Sequence, residues 1–260
     1  MAVTNFIQQI WSKKIQDDLE LKCKLVDNCL RDYEGDCKYA QSVKILGVGE
    51  PTIGAYDGTQ DITIEDMSDK GQILTIDQAN YFAFYVDDID QAQSVPGLKE
   101  KYQAKAVHGL AVARDTYVAT LIASATNKTT GVEMTEAGVK EGVDKAIVAL
   151  RERNFDEDGV IEMTPAFYNL FKNHLITLST NNPELIRKGV VGMYDNFECI
   201  MSNNLKTPCD IRGKKAIAFA GQINEVEALR AEKRFKDIVR GLDTFGAKVI
   251  DEARIQVLTA

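Results

Sequence analysis

Two histidines, five cysteines and a few glycine- and aspartate-rich turns are the raw material for chemistry in this 260-residue chain. Gly47, Gly49 and Gly54 superficially resemble a phosphate-cradling loop. A dinucleotide-binding turn must open a helix, however, and Pro51 with the alternating pattern around it argues against one. Gly213-Lys214-Lys215 lacks the hydroxyl residue that follows the lysine of a P-loop. Asn154, Asp156 and Asp158 before Gly159 match the first half of a calcium loop, but Pro165 stands where that loop needs a bidentate glutamate. The stretch reads as a helix-to-strand turn. Asp87-Asp88-Ile89-Asp90 sits where acids favour the N-terminus of a following helix. His108 lies among alanines and His174 follows Lys172-Asn173, so neither has a nucleophile or carboxylate partner at helical spacing. Cys23, Cys29, Cys37, Cys199 and Cys209 lack Cys-x-x-Cys spacing and read as reduced thiols, which leaves no zinc site. The expectation is no catalytic residue, no metal and no cofactor: the chain is not an enzyme.

With 45% hydrophobic and 27% charged residues the composition is that of a soluble globular protein able to bury one large core or two modest ones. No apolar run approaches the roughly eighteen residues of a membrane span. The N-terminus lacks the order of a signal peptide, so the chain is expected to be made and to fold in a cytoplasm. The net charge of −8 sits in one block: residues 41–100 carry three Lys/Arg against eleven Asp/Glu, and the segments on either side nearly balance. Nothing in it resembles the basic footprint of a sequence-reading nucleic-acid protein.

The elements follow from periodicity. Pro96 to about Asn127 is a long helix, with Ser94 as its cap and Val107, Leu110, Arg114, Tyr117 or Val118, and Leu121 on a stripe. At 1.5 Å per residue it measures roughly 40 Å, which makes it a strut or a bundle centre. Residues 5–40 read as an amphipathic helix with Ile7, Ile10, Trp11 and Ile15 on one face, continuing weakly through Leu19, Leu21 and Leu25. From Ser42 the period becomes two. Strands at 43–46, 62–64 and 73–76 form an extended β-excursion, and Tyr81 to Val86 is a more buried strand. A helix over Thr135–Arg153 carries Val139, Val143, Ile147 and Leu150. A strand over 160–163, a Pro165-initiated helix, and strands near 190–193, 198–201 and 215–219 complete a compact α/β unit. Further strands near 236–242, 247–250 and 255–258 return to the body.

Three stretches in this order resemble the major capsid proteins of tailed bacteriophages, the Hong Kong 97-type shell fold. They are Leu74 to Gln93, Asn154 to Leu170, and Phe235 to Ile250 with its Gly241-Leu242 and Phe245-Gly246-Ala247-Lys248-Val249. Relatives often have proline where this chain has Phe155. The resemblance implies an α+β chain with an N-terminal arm (1–41), an extended β-hairpin loop (42–78), and a peripheral domain (79–129 and 226–260) holding a long spine helix (about 94–126). An axial α/β domain takes 130–225. It implies self-assembly into the hexamers and pentamers of an icosahedral shell around double-stranded DNA, bound non-specifically, in a virion assembled in the bacterial cytoplasm. Portal, decoration and separate scaffolding proteins are the implied partners, since no coiled-coil stretch precedes the arm; no membrane is involved. Lys70 has no feature marking it as a crosslinking lysine. An encapsulin-like nanocompartment shares the fold, and a cytoplasmic α/β enzyme is the reading from another class. For inter-subunit contact the expected acidic partners are Asp57, Asp61, Glu65, Asp66 and Asp69 on the loop. The expected basic partners are Lys101, Lys105, Arg230, Lys233, Arg234 and Lys236, with Trp11 anchoring the arm.

Overall fold

The structure is a computed structural model that describes residues 23–33, 42–45, 71–87, 98–178, 191–230 and 236–259. In chain order the elements are β1 (Ser42–Ile45), β2 (Gln72–Thr75), β3 (Gln78–Asp87), α1 (Leu98–Ala123), β4 (Lys128–Thr129), α2 (Glu136–Arg151), β5 (Gly159–Met163) and α3 (Pro165–Leu178). Then come β6 (Met193–Tyr194), β7 (Phe197–Met201), β8 (Cys209–Gly213), β9 (Ile217–Arg230), β10 (Lys236–Val249) and β11 (Ile255–Leu258).

Three sheets result. β1 and β2 form an antiparallel pair, with Ile45 opposite Gln72, so residues 46–71 leave and return at one point. β3, β10 and β9 form an antiparallel sheet in that order. β9 and β10 have 14 residues each, giving strands about 45 Å long. The third sheet runs β4-β11-β8-β5-β7-β6, with β4–β11 and β5–β7 parallel and the rest antiparallel.

α1 lies between the two larger sheets. Val107, Leu110, Val118 and Ile122 are buried along it, the stripe that the sequence shows. Tyr117 meets Phe245 of β10 edge-on at 5.6 Å, and its hydroxyl donates to Asp77 at 3.1 Å. Burial and then that acceptor push the Tyr117 phenol up to about 12. α2 begins at Glu136, one residue after the expected start, because Thr135 caps it: the Thr135 hydroxyl accepts from the Gly138 N–H at 3.1 Å, satisfying an orphan donor. Val139, Val143, Ile147 and Leu150 all face a second core with Phe167 and Phe171 of α3.

Several expectations need correction. The helical stripe running to Leu25 ends before it: residues 23–33 are irregular, with one 3₁₀ turn at Val26–Asn28, because side chains from distant elements take their backbone groups. β8 has no counterpart among the expected strands, although it lies centrally. Residues 236–250 form one strand, not two. β11, expected to return to the long helix and its sheet, pairs instead with β8 and β4. The 62–64 strand, Ser94, Pro96 and the Gly47–Gly54 loop lie outside the described residues. The calcium-like stretch is a turn, with Asn154 at φ 60 and Arg254 Nη1 2.9 Å from Glu157 Oε2.

One close approach fixes β10 against the chain entering β3. A Cβ at Gly246 would collide with the Thr75 carbonyl oxygen and lie 2.9 Å from Ile76 Cα, both backbone atoms that cannot swing aside. Gly246→Ala is expected to destabilise the fold by about 1–3 kcal/mol, the range for overpacking. Chemical denaturation of the purified variant measures it, and an unchanged midpoint would contradict the close approach.

Candidate assembly site

A charged cluster lies where the β5–β8 ladder faces the 23–30 segment. Along β8, Cys209, Ile211 and Gly213 point to the α2/α3 core while Asp210 and Arg212 point the other way. Glu162 on β5 is directly opposite Asp210 in the ladder, so three charged side chains share one face, all at 0% exposure. Buried charges must be paired and hydrogen-bonded. Arg212 meets that requirement with a fork: Nε donates to Glu162 Oε2 at 3.1 Å and Nη2 to Oε1 at 2.8 Å. Its remaining donors reach the carbonyls of Asn28 (2.7 Å) and Leu25 (2.8 Å). Burial alone would lower the Arg212 pKa, but the charge and hydrogen bonds of Glu162 with the other acidic groups nearby together outweigh it, and the guanidinium is held more firmly protonated than usual. Asp210 finds no donor for either oxygen. Burial first, then the Glu162 charge opposite, drive its pKa well above the carboxylate range.

The other end of the segment is held by α1. Asp115 accepts the backbone N–H groups of Lys24 (3.1 Å), Leu25 (3.1 Å) and Val26 (3.3 Å), and the Asn204 amide at 3.3 Å. Burial raises its pKa, and those N–H groups oppose the shift. One residue earlier, Arg114 turns to the three-stranded sheet. Its Nε donates to Asp243 Oδ2 at 3.0 Å, and its guanidinium lies over the rings of Phe219 and Phe245 at 5.6 and 5.8 Å. Leu30 then joins β9, donating to the Ile217 carbonyl at 2.8 Å and accepting from the Phe219 N–H at 2.9 Å. Residues 23–30 are thus tied to the long helix and to both large sheets. Cys23 and Cys29, buried in this segment, have thiols pushed up to about 12 and about 11 by desolvation, which leaves them poor nucleophiles.

On the outside, the face of the three-stranded sheet turned away from α1 carries two rows of apolar and aromatic side chains on either side of an ion pair. Tyr81 is 80% exposed, Tyr85 66% and Leu242 41%, with Leu229 at the far strand. Leu242 stands opposite Tyr81, and Ile238 joins Tyr85 to Leu229 across the sheet. Arg240 Nε donates to Glu227 at 2.7 Å between these two rows. A shallow groove of about 460 Å³ runs there, between Tyr81, Arg240 and Leu242. Lone exposed apolar residues are ordinary, whereas a contiguous aromatic face marks a contact surface.

Of the contact residues expected from sequence, Lys105 is exposed on α1 and Arg230 is exposed at the end of β9. Lys101 lies on α1 and Lys236 starts β10, but their side chains are outside the described set. Asp57, Asp61, Glu65, Asp66, Asp69, Lys233, Arg234 and Trp11 lie outside the described residues altogether. Asp115, Glu162, Asp210 and Arg212 were not singled out from sequence. The available signal was the alternation of charged with apolar residues in 209–213, which resembles a strand with one wet face.

No protein-family profile and no curated protein sequence matches the chain. Solved structures do. A structure from Mycobacterium phage Che8 is similar at a TM-score of 0.77 with 24% identity, over 91% of this chain and 90% of that one. The capsid structure of the cyanophage P-SCSP1u matches at 0.72 with 15% identity, over 86% and 84%. The chain has a phage-capsid fold. A virus-like particle from Pyrococcus furiosus has a similar fold too, with a TM-score of 0.61 and 14% identity over 97% of this chain and 99% of that one.

Within this capsid fold the buried pairs carry a stability test. Removing one partner of a buried pair leaves a charge alone in a dry site, at about 3–5 kcal/mol, while replacing both partners by apolar residues is often neutral. Arg114→Leu is therefore expected to destabilise by that amount, and Arg114→Leu with Asp243→Leu to recover most of it, as measured by denaturant unfolding of the four-member cycle. Equal losses in the single and double variants would rule out a direct pair.

Proposed function

We propose that this chain is a major capsid protein that self-assembles into an icosahedral shell enclosing the double-stranded DNA of a tailed phage. The observation that carries the reading is a fold shared with a cyanophage capsid over more than four-fifths of both chains. In this reading 1–41 is the arm, 42–78 the extended loop and 130–225 the axial domain. The spine helix and its sheet make up the peripheral domain. The exposed Tyr81–Leu242 face and the acidic excursion between β1 and β2 support it, because each is a surface that a lone subunit would leave without a partner.

The loop acids Asp57, Asp61, Glu65, Asp66 and Asp69 dock on a neighbour's Lys101, Lys105, Arg230, Lys233 and Arg234, while Trp11 anchors the arm. Exposed ion pairs contribute only about 0–1 kcal/mol each, so the effect comes from repetition over many copies. The shell binds DNA through non-specific contact, has no catalytic role and works with separate scaffolding and portal proteins. A second reading is a shell of the same fold that holds protein cargo in place of a genome; a virus-like particle is among the structures that share this fold over nearly the whole chain.

Negative-stain microscopy of the expressed protein is expected to show shells or tubes. A monomer or small oligomer retaining a nucleotide would instead support a cytoplasmic enzyme and end the capsid reading. Nuclease-protected DNA in particles from infected cells distinguishes a genome shell from a cargo shell. For the docking surface, Arg230→Glu with Lys233→Glu and Arg234→Glu is expected to abolish assembly, or to shift its salt dependence, by light scattering. Unchanged assembly at every salt concentration would refute the pairing.

A further inference from the structure

The cluster beneath the 23–30 segment has two carboxyls for one guanidinium. Glu162 accepts both Arg212 bonds on its side of the ladder, and Asp210 is left facing it with Arg212 Nε at 3.9 Å, beyond hydrogen-bond reach. Both Asp210 oxygens are buried and without a donor. A second negative charge at this point would have no compensation, whereas a carboxylic acid there has a proton to offer the Glu162 carboxyl opposite. The other titratable groups facing the site are few. Asp115 reaches in from α1 but is engaged by three backbone N–H groups. The thiol of Cys29 lies 3.6 Å from Arg212 Nη1, while the thiols of Cys209 and Cys199, on β8 and β7, lie on the other face of the sheet, in the α2/α3 core, and are pushed up by burial.

We propose that the Glu162–Asp210 pair is a one-proton lock on the 23–30 segment. With Asp210 protonated, Arg212 has one carboxylate to satisfy and two donors free for the carbonyls of Leu25 and Asn28. When Asp210 loses its proton to solvent, the buried cluster carries a net negative charge, and the guanidinium is drawn toward Asp210, away from those carbonyls. The segment then loses its two Arg212 bonds and depends on Asp115, the Leu30 bridge, the Asn28 and Lys24 side-chain bonds to Glu162 and the Met201 carbonyl, and its apolar packing. The inference concerns this chain's own core and holds whatever the shell encloses.

The direction follows from linkage. A carboxyl whose folded pKa is raised contributes its full stabilisation below its ordinary pKa of about 3.9. That contribution shrinks by about tenfold in the opening constant per pH unit above 3.9 and is fully lost once the raised pKa is passed. Alkaline conditions therefore loosen the segment, and acid tightens it.

Two measurements on the purified full chain test the lock. At neutral pH, infrared spectroscopy is expected to show a protonated-carboxyl band that shifts when aspartate carries carbon-13 at its side-chain carboxyl. This needs no variant, and a missing or unshifted band overturns the proposal. Hydrogen exchange of peptides covering 23–30, corrected for intrinsic exchange, is expected to show opening that rises about tenfold per pH unit in the wild type, the slope of one proton. Asp210→Asn keeps the shape and cannot ionise, so its opening is expected to be flat with pH. Parallel slopes in the two proteins would mean that Asp210 does not control the segment.

Discussion

Arg212 cannot be dry and alone, and much of this molecule is arranged around that constraint. Desolvating a guanidinium is worth several kcal/mol against folding unless partners replace its water. Those partners come from two places in the chain: a strand neighbour at Glu162, and two carbonyls of the 23–30 segment, more than 180 positions away. The carbonyls of Leu25 and Asn28 are turned to Arg212 because the segment makes a single 3₁₀ turn and no longer helix, with its Lys24, Leu25 and Val26 amides taken by Asp115. Each departure from regular structure is therefore the complement of a buried charge. Hydrophobic contact would hold the segment to the sheet, but only directional bonds specify its position along it.

The same logic makes the long helix a two-sided connector. Arg114 and Asp115 are adjacent, so they emerge about 100° apart on a helix of 3.6 residues per turn and face different neighbours. Arg114 ties the helix to β10 through Asp243, and Asp115 ties it to the entering chain. A strut buried along Val107–Ile122 with opposite charges to either side transmits position between the two sheets. The outer face of the three-stranded sheet, one of the surfaces proposed for assembly, lies outside this frame.

Much of the fold could be read from periodicity. The four-residue spacing of α2, its Thr135 cap, the Pro165 start of α3 and the extent of α1 follow local rules that tertiary structure left intact. β8 did not. Its alternating Cys-Asp-Ile-Arg resembles a strand half in water, because alternation reports two different faces and not which face meets solvent. β11 was misplaced for a related reason: strand pairing depends on which edges are brought near, and a four-residue strand carries no pairing address.

The order of charge and hydropathy along the chain, by itself, determined that this protein has a long helix, an acidic block of sequence before it and alternating helices and strands after it. Those are properties of residues near one another in sequence. Only the tertiary structure decided that Asp115, Glu162, Asp210 and Arg212 form one dry cluster. It alone placed the Tyr81–Leu242 row on an open face and joined the C-terminal strand to the six-stranded sheet. The physical reason is range. Helix propensity and capping act over about four residues, whereas pairing a buried charge requires a partner that the folded chain delivers from anywhere.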